Sequence, residues 1–205
     1  MDTTVILTIG MMIAGYLSGS IPFSYLVARA HGVDLRTVGS GNIGGANVWR
    51  ACGFRAFLIA TMADILKGLL PTLAALYLAG LPAGAVITTG MSAIIGHIFP
   101  VFLNFKGGKA VATSGGVLLA TVPLLLLVGL IAWVLAFLVT RISSLGSLTA
   151  AVVVCVLGTW MFATARLALP YALFVWVGST FIVYLHRDNI RRLRAGTENR
   201  FERLR

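Results

Sequence analysis

Apolar residues run through this chain in long blocks separated by short, polar, glycine-rich segments. A membrane-spanning helix needs about 20 largely apolar residues, and blocks near that length cover residues 5–28, 56–79, 83–101, 148–163 and 168–186. One further block, 110–139, is too long for a single ordinary span and is interrupted by Thr121-Val122-Pro123. Proline restricts the residue before it and removes a backbone donor, so a tight turn is expected there, with a short helix on each side. The pattern predicts an all-α integral membrane protein of seven transmembrane helices, some of them short.

Basic residues sharpen the count. With seven spans, Arg29, Arg36, Arg50, Arg55, Lys106, Lys109 and Arg141 share one side with the tail arginines 187, 191, 192, 194, 200, 203 and 205. Arg166 alone faces the other side, and Lys67 falls inside a span. The positive-inside rule then places the N-terminus outside and the basic tail, residues 187–205, in the cytoplasm. With six spans, a strongly basic segment would have to face outward. The first block has no basic stretch before it, since Asp2 is the sole charge before Arg29, so it reads as a retained span and not as a signal peptide.

Composition agrees with a membrane protein: the 205 residues are 59% hydrophobic and 11% charged, against about 25% charged in soluble domains. The net charge of +10 does not point to nucleic acid, because the basic residues flank apolar spans without interleaved stacking aromatics. Cys52 and Cys155 are too few and too scattered for a disulfide framework or a metal site. No metal and no cofactor are expected.

Every polar segment lands on the cytoplasmic face. Residues 39–50 carry Ser40, Asn42, Asn47 and Arg50 among Gly39, Gly41, Gly44 and Gly45; glycines let backbone approach a ligand, and a guanidinium matches phosphate oxygens. Residues 96–113 set Lys106 and Lys109 around Gly107 and Gly108 and then start a helix that contains Thr113. A glycine turn with lysines at a helix N-terminus suits phosphate, although no Walker A spacing is present. His97, in the same segment, is a general base, a phosphate donor or a packed histidine at a membrane end. Residues 140–147 add Arg141, Ser144 and Ser147, and residues 186–198 add His186, Asn189, Arg192 and Glu198. Inside the second span, Asp64 and Lys67 are spaced i and i+3, hence on one helix face, where they neutralise each other.

Taken together, "GSIPFSYL" (19–26), "GSGNIGGANVWR" (39–50), "DILKG" (64–68), "GHIFPVFLNFKGGKAVAT" (96–113), "SLGS" (144–147) and "HRDNIRRLRAGTE" (186–198) resemble the bacterial acyl-phosphate:glycerol-3-phosphate acyltransferases, the PlsY family. The resemblance covers nearly the whole chain and implies one membrane-embedded acyltransferase domain, residues 1–205, in the bacterial inner membrane, with its active site on the cytoplasmic side. It implies that an acyl group passes from acyl phosphate to glycerol 3-phosphate, giving lysophosphatidic acid. Carried over by position, Ser40, Arg50 and Lys109 hold the glycerol 3-phosphate phosphate, with Gly107 and Gly108 beside them. Ser144 or Ser147, His186, Asn189 and Glu198 complete the pocket, and Asn42, Gly44, Asn47, His97, Lys106 and Thr113 support or line it. Gly45-Ala46 stands where the family carries Ala-Thr, and Ala110 where it carries glycine. Expected partners are the two substrates, membrane lipid and, functionally, the enzyme that makes acyl phosphate; no nucleic acid is expected.

The chain lacks the HxxxxD pair of acyl-CoA or acyl-carrier-protein dependent glycerolipid acyltransferases, because Arg36, Phe102 and Arg191 follow His31, His97 and His186 by five. The rival reading is a small transporter of an organic phosphate, with Asp64 and Lys67 as a proton-coupled pair.

Overall fold

The computed structural model describes residues 2–201; residues 202–205, with Arg203 and Arg205 of the basic tail, lie outside the described residues. Among the described residues all regular structure is helical. The chain forms two compact units, residues 1–121 and 122–205.

The first unit holds α1 (Thr3–Ser20), α2 (Phe23–Ala30), α3 (Gly45–Cys52), α4 (Phe54–Leu73, running on as a π turn over Ala74–Leu78), α5 (Ala83–Ile98) and α6 (Val111–Thr121). Asp2 caps α1, its carboxylate accepting the Thr4 amide at 3.1 Å, and the helix stops at Ile21-Pro22, where proline cannot supply the next amide. The second unit holds α7 (Pro123–Thr140), α8 (Ser143–Ala163), α9 (Leu169–Leu185) and α10 (Arg187–Arg194). The turn expected at residues 121–123 is present: α6 ends at Thr121 and Pro123 opens α7, where its missing donor costs nothing.

Five helical stretches are long and apolar enough to cross a membrane: Thr3–Ala30, Phe54–Leu78, Ala83–Leu103, Pro123–Thr140 and Ser143–Ala163. The pair α9 and α10, bent by 55°, makes a sixth. Sequence pattern expects seven. The difference is α6, whose 11 residues rise about 16 Å, roughly half of a 30 Å hydrocarbon layer. Large apolar side chains stay exposed along the helices, for example Leu58, Ile59 and Met62 on α4 and Leu127, Leu130 and Leu135 on α7. The protein is a multi-pass membrane protein, and in lipid those faces need no protein cover.

Helix packing within each unit uses small residues, because lipid tails supply no hydrophobic drive for helices to associate. A Cβ added to Gly19 or Gly96 would enter the backbone of the facing helix in the α1–α5 pair, and Gly68 and Gly116 play the same part between α4 and α6. In the second unit, Gly146 packs against Trp133 and Gly158 against Val175.

Gly19→Val is therefore expected to destabilise by ~1–3 kcal/mol and lower the thermal midpoint in detergent by roughly 5 °C or more. Gly10→Val, where nothing lies within 4 Å of an added Cβ, is expected not to lower it.

Candidate active site

The glycine-rich segment before α3 is folded around one side chain. Asn47, buried in the first turn of α3, donates its carboxamide N–H groups to the carbonyls of Leu35, Val38 and Asn42, each at 3.0 Å. Its Oδ1 accepts the Ser40 amide at 3.2 Å. Gly39 (φ +57°) and Gly41 (φ +68°) take the left-handed conformations this wrapping requires, and a Cβ at Gly39 would strike Asn47 Oδ1. Asn47 thus organises the segment from inside, while Ser40, Asn42, Gly44 and Arg50 are half-buried around it. The Ser40 hydroxyl accepts the Asn42 amide at 3.4 Å. At the start of the loop the Arg36 guanidinium, bonded to Asp34 at 2.6 and 3.0 Å, lowers the Asp34 carboxyl to about 2.

The second segment turns back on α5. Gly107 donates its amide to the Ile98 carbonyl at 3.0 Å and Gly108 donates to the His97 carbonyl at 3.1 Å. Those two amides, expected beside a phosphate, are therefore engaged in building the turn. By helix geometry the first-turn amides of α6 point at the end of this turn. The buried His97 ring packs against Gly108, and its Nδ1 lies 3.0 Å from the hydroxyl of Thr113, which is itself fully buried. Thr113 thus sits behind the turn and touches the histidine. Lys106 is exposed and Lys109 half-buried.

Ala110 and Gly45, singled out in the sequence, acquire a physical meaning here. Ala110 holds φ +55° while buried, a conformation glycine adopts freely and alanine at ~1–2 kcal/mol. A Cβ at Gly45 would meet Thr61 Oγ1 at 2.6 Å and the Phe57 ring at 3.3 Å, so glycine allows α3 to close against α4.

In the second unit the organiser is Glu198. Its Oε1 accepts Ser144 Oγ at 2.8 Å and Asn189 Nδ2 at 2.6 Å, and Arg192 Nε donates to Oε2 at 2.7 Å. The chain returns to α10 through a Schellman turn: Gly196 (φ +71°) donates to the Leu193 carbonyl and Thr197 to that of Arg192. Phe201 completes the fold-back, its amide on the Arg141 carbonyl at 2.9 Å and its ring against Phe137. His186, buried between α9 and α10, meets the Ile182 carbonyl through Nδ1 at 2.8 Å. A carbonyl only accepts, so Nδ1 carries the proton and Nε2 of the neutral ring carries the lone pair. Ser147 accepts Trp133 Nε1 at 3.3 Å and donates to the Ser143 carbonyl, which leaves Ser144 as the serine tied to the Glu198 group.

Burial alone would raise the Glu198 carboxyl, but hydrogen bonds from Asn189, Ser144 and Arg192 and the arginine charge outweigh it, and the group titrates below its ordinary 4.5. Sequence reasoning placed Glu198 in the pocket but gave Arg192 no partner, and Ser24, bonded to Asp64 across 40 positions, left no signal.

Asn47→Ala strands three carbonyls and an amide and is expected to destabilise the segment by ~1–3 kcal/mol, read as faster amide hydrogen exchange over residues 35–44. For Glu198, a depressed carboxyl contributes stability above its unfolded-state value that disappears as pH falls through the folded-state value. Wild type should thus melt above Glu198→Gln at neutral pH, with the gap closing as the pH drops below 4.5. A gap independent of pH would contradict this.

A family model for glycerol-3-phosphate acyltransferase matches residues 9–196. The glycerol-3-phosphate acyltransferase of Roseiflexus sp. (strain RS-1) is 56% identical over 199 residues, 97% of this chain and 98% of the relative. That of Aquifex aeolicus (strain VF5) is 39% identical over 191 residues, 93% of this chain and 97% of its own length. Among solved structures, the integral membrane glycerol 3-phosphate acyltransferase PlsY (YgiH) in its glycerol 3-phosphate form has a TM-score of 0.87 at 39% identity, covering 95% of each chain. Its lysphosphatidic acid form has a TM-score of 0.85 at 37% identity, again over 95% of each chain. Similarity of this extent, over the segments that carry the polar residues, assigns the chain to the glycerol-3-phosphate acyltransferase family as a PlsY-type membrane enzyme that acylates glycerol 3-phosphate.

Proposed function

We propose that the enzyme transfers a fatty acyl group from acyl phosphate to the sn-1 hydroxyl of glycerol 3-phosphate, releasing inorganic phosphate and lysophosphatidic acid, the first step of phospholipid synthesis. The observation that carries this reading is that the related PlsY has been crystallised in a glycerol 3-phosphate form and in a lysphosphatidic acid form, the acceptor and the product of that transfer. The absent HxxxxD pair supports an acyl donor that is already activated.

In this reading Ser40, Arg50 and Lys109 hold the acceptor phosphate, with Asn42, Gly44, Lys106 and the Gly107-Gly108 turn around it, while His186, Asn189, Ser144 and Glu198 serve the glycerol end. The hydroxyl oxygen attacks the acyl carbonyl, the oxyanion collapses, and the bond from acyl carbon to phosphate oxygen breaks. Phosphate is a good leaving group, so positioning and charge stabilisation supply most of the acceleration. The hydroxyl proton passes to a substrate phosphate oxygen, with His186 Nε2 as the protein alternative. All 205 residues act as one acyltransferase domain of seven spans in the bacterial inner membrane, the fourth span being the short α6. The N-terminus lies outside and the site faces the cytoplasm, an orientation supported by the basic residues it gathers on one side.

Purified enzyme in lipid, given labelled glycerol 3-phosphate with either palmitoyl phosphate or palmitoyl-CoA, is expected to release lysophosphatidic acid and phosphate from the acyl phosphate alone. Lys109→Ala should lose at least about a hundredfold in kcat/KM. Product from palmitoyl-CoA at a matching rate would refute the donor. His186→Ala decides the base: a loss of only a few-fold in kcat leaves the proton to the substrate, and a loss of about 10²–10⁴ assigns it to histidine.

A further inference from the structure

Asp64 and Lys67 stand one turn apart on α4, with side chains 3% and 2% exposed, and the proposed reaction uses neither. Their contacts run in two directions. Toward α1 and α2, Lys67 Nζ lies 2.9 Å from Asp64 Oδ1 and donates to the Ile21 carbonyl at 2.8 Å. Ser24 Oγ donates to Asp64 Oδ2 at 2.7 Å, and Ser18 Oγ donates to the Lys67 carbonyl at 3.0 Å. Toward α5 and α6, Asp64 Oδ1 lies 3.9 Å from His97 Nδ1, the nitrogen that also meets Thr113. Asp64, Lys67, Ser24, Ser20 and His97 border one small cavity together with apolar residues such as Ile43 and Pro100.

The pair is not needed merely to hold the unit together. Taking two charges out of water costs about what their attraction returns, and well-packed apolar residues of similar volume often do as well or better. A carboxylate does one thing that a leucine cannot. An imidazole turned by 180° about its last torsion keeps nearly the same shape, so packing alone does not choose between orientations, whereas the Thr113 hydroxyl 3.0 Å from Nδ1 and the carboxylate charge 3.9 Å from it favour the one observed. The chosen ring then has Gly108 against it, while the His97 carbonyl holds the Gly108 amide. Lys109 is the next residue.

We propose that Asp64 and Lys67 are positioning residues for the turn at 107–109: the pair sets the His97 ring, and the ring sets where Lys109 stands. This rests on the reading of Lys109 as a holder of the glycerol 3-phosphate phosphate. Misplacing such a group by about 1 Å costs on the order of a hundredfold, so the pair acts on the reaction without touching substrate.

The test is steady-state kinetics on purified Asp64→Leu/Lys67→Met, Thr113→Val and, as reference, Lys109→Ala, each with its thermal midpoint. The double variant is expected to keep the wild-type midpoint, raise KM for glycerol 3-phosphate about tenfold or more and change kcat by less than about threefold. Thr113→Val should move KM the same way by a smaller factor. A merely structural pair would reduce the amount of active enzyme and leave KM where it was, and that outcome overturns the proposal. Should the double variant not fold, Thr113→Val decides alone: a raised KM supports the positioning chain and an unchanged KM overturns it. An unchanged KM in Lys109→Ala would instead remove the phosphate-holding reading and this proposal with it; a raised KM there beside an unchanged one in the double variant removes the proposal alone.

Discussion

A backbone group buried away from water costs free energy unless it is paired, so irregular chain folds inward only where protein atoms satisfy it. That constraint shapes three non-helical stretches of this enzyme. The segment before α3 wraps its carbonyls onto the Asn47 carboxamide. The turn after α5 pairs its glycine amides with the carbonyls of His97 and Ile98. The stretch after α10 returns to Arg192 and Leu193 and lodges Glu198 among three donors. In each case one buried polar side chain, Asn47, His97 or Glu198, bonds to neighbouring groups of its segment. The polar residues in these segments therefore include a few whose visible work is to hold the loop.

Sequence shows that division poorly. Apolar periodicity located the long helices, and Pro123 located the break between α6 and α7 because proline's missing donor acts locally. That α6 would be only 11 residues long was less legible, since its apolar run continues into the next helix. The candidate residues were legible as a set, because glycine, asparagine and arginine between two spans have few bland explanations. Their roles were not. Asn47 meets carbonyls 5, 9 and 12 residues away, and the Gly107 and Gly108 amides are consumed by strand-like pairing with a helix end. No local propensity encodes either contact.

Gly45 and Ala110 show how backbone geometry sets the residue each position takes. At Gly45 the absence of a side chain lets α3 lie on Phe57 and Thr61. At Ala110 the methyl is held in a left-handed conformation where glycine would be relaxed. The strain is affordable because α6 begins at the next residue and Ser114 already bonds back to the Ala110 carbonyl at 2.8 Å, so helix formation fixes the geometry whichever residue occupies it. A stiffer exit from the lysine turn is the consequence, since alanine leaves the backbone fewer alternatives than glycine.

The buried ion pair has an origin in the first span. Proline at position 22 ends α1 and starts α2 within one 28-residue apolar stretch, and a broken helix in lipid releases carbonyls that something must satisfy. At the break the Ile21 carbonyl accepts both the Phe23 amide at 3.1 Å and Lys67 Nζ at 2.8 Å. A lysine in that place is a bare charge, which requires a carboxylate, and Asp64 stands one turn before it on the same face, also receiving the Ser24 hydroxyl at the first turn of α2. The break in the first span and the ion pair of α4 thus meet at the Ile21 carbonyl and the Ser24 hydroxyl. In the positioning proposal the same carboxylate, 3.9 Å from His97 Nδ1, links this break to the turn that carries Lys109.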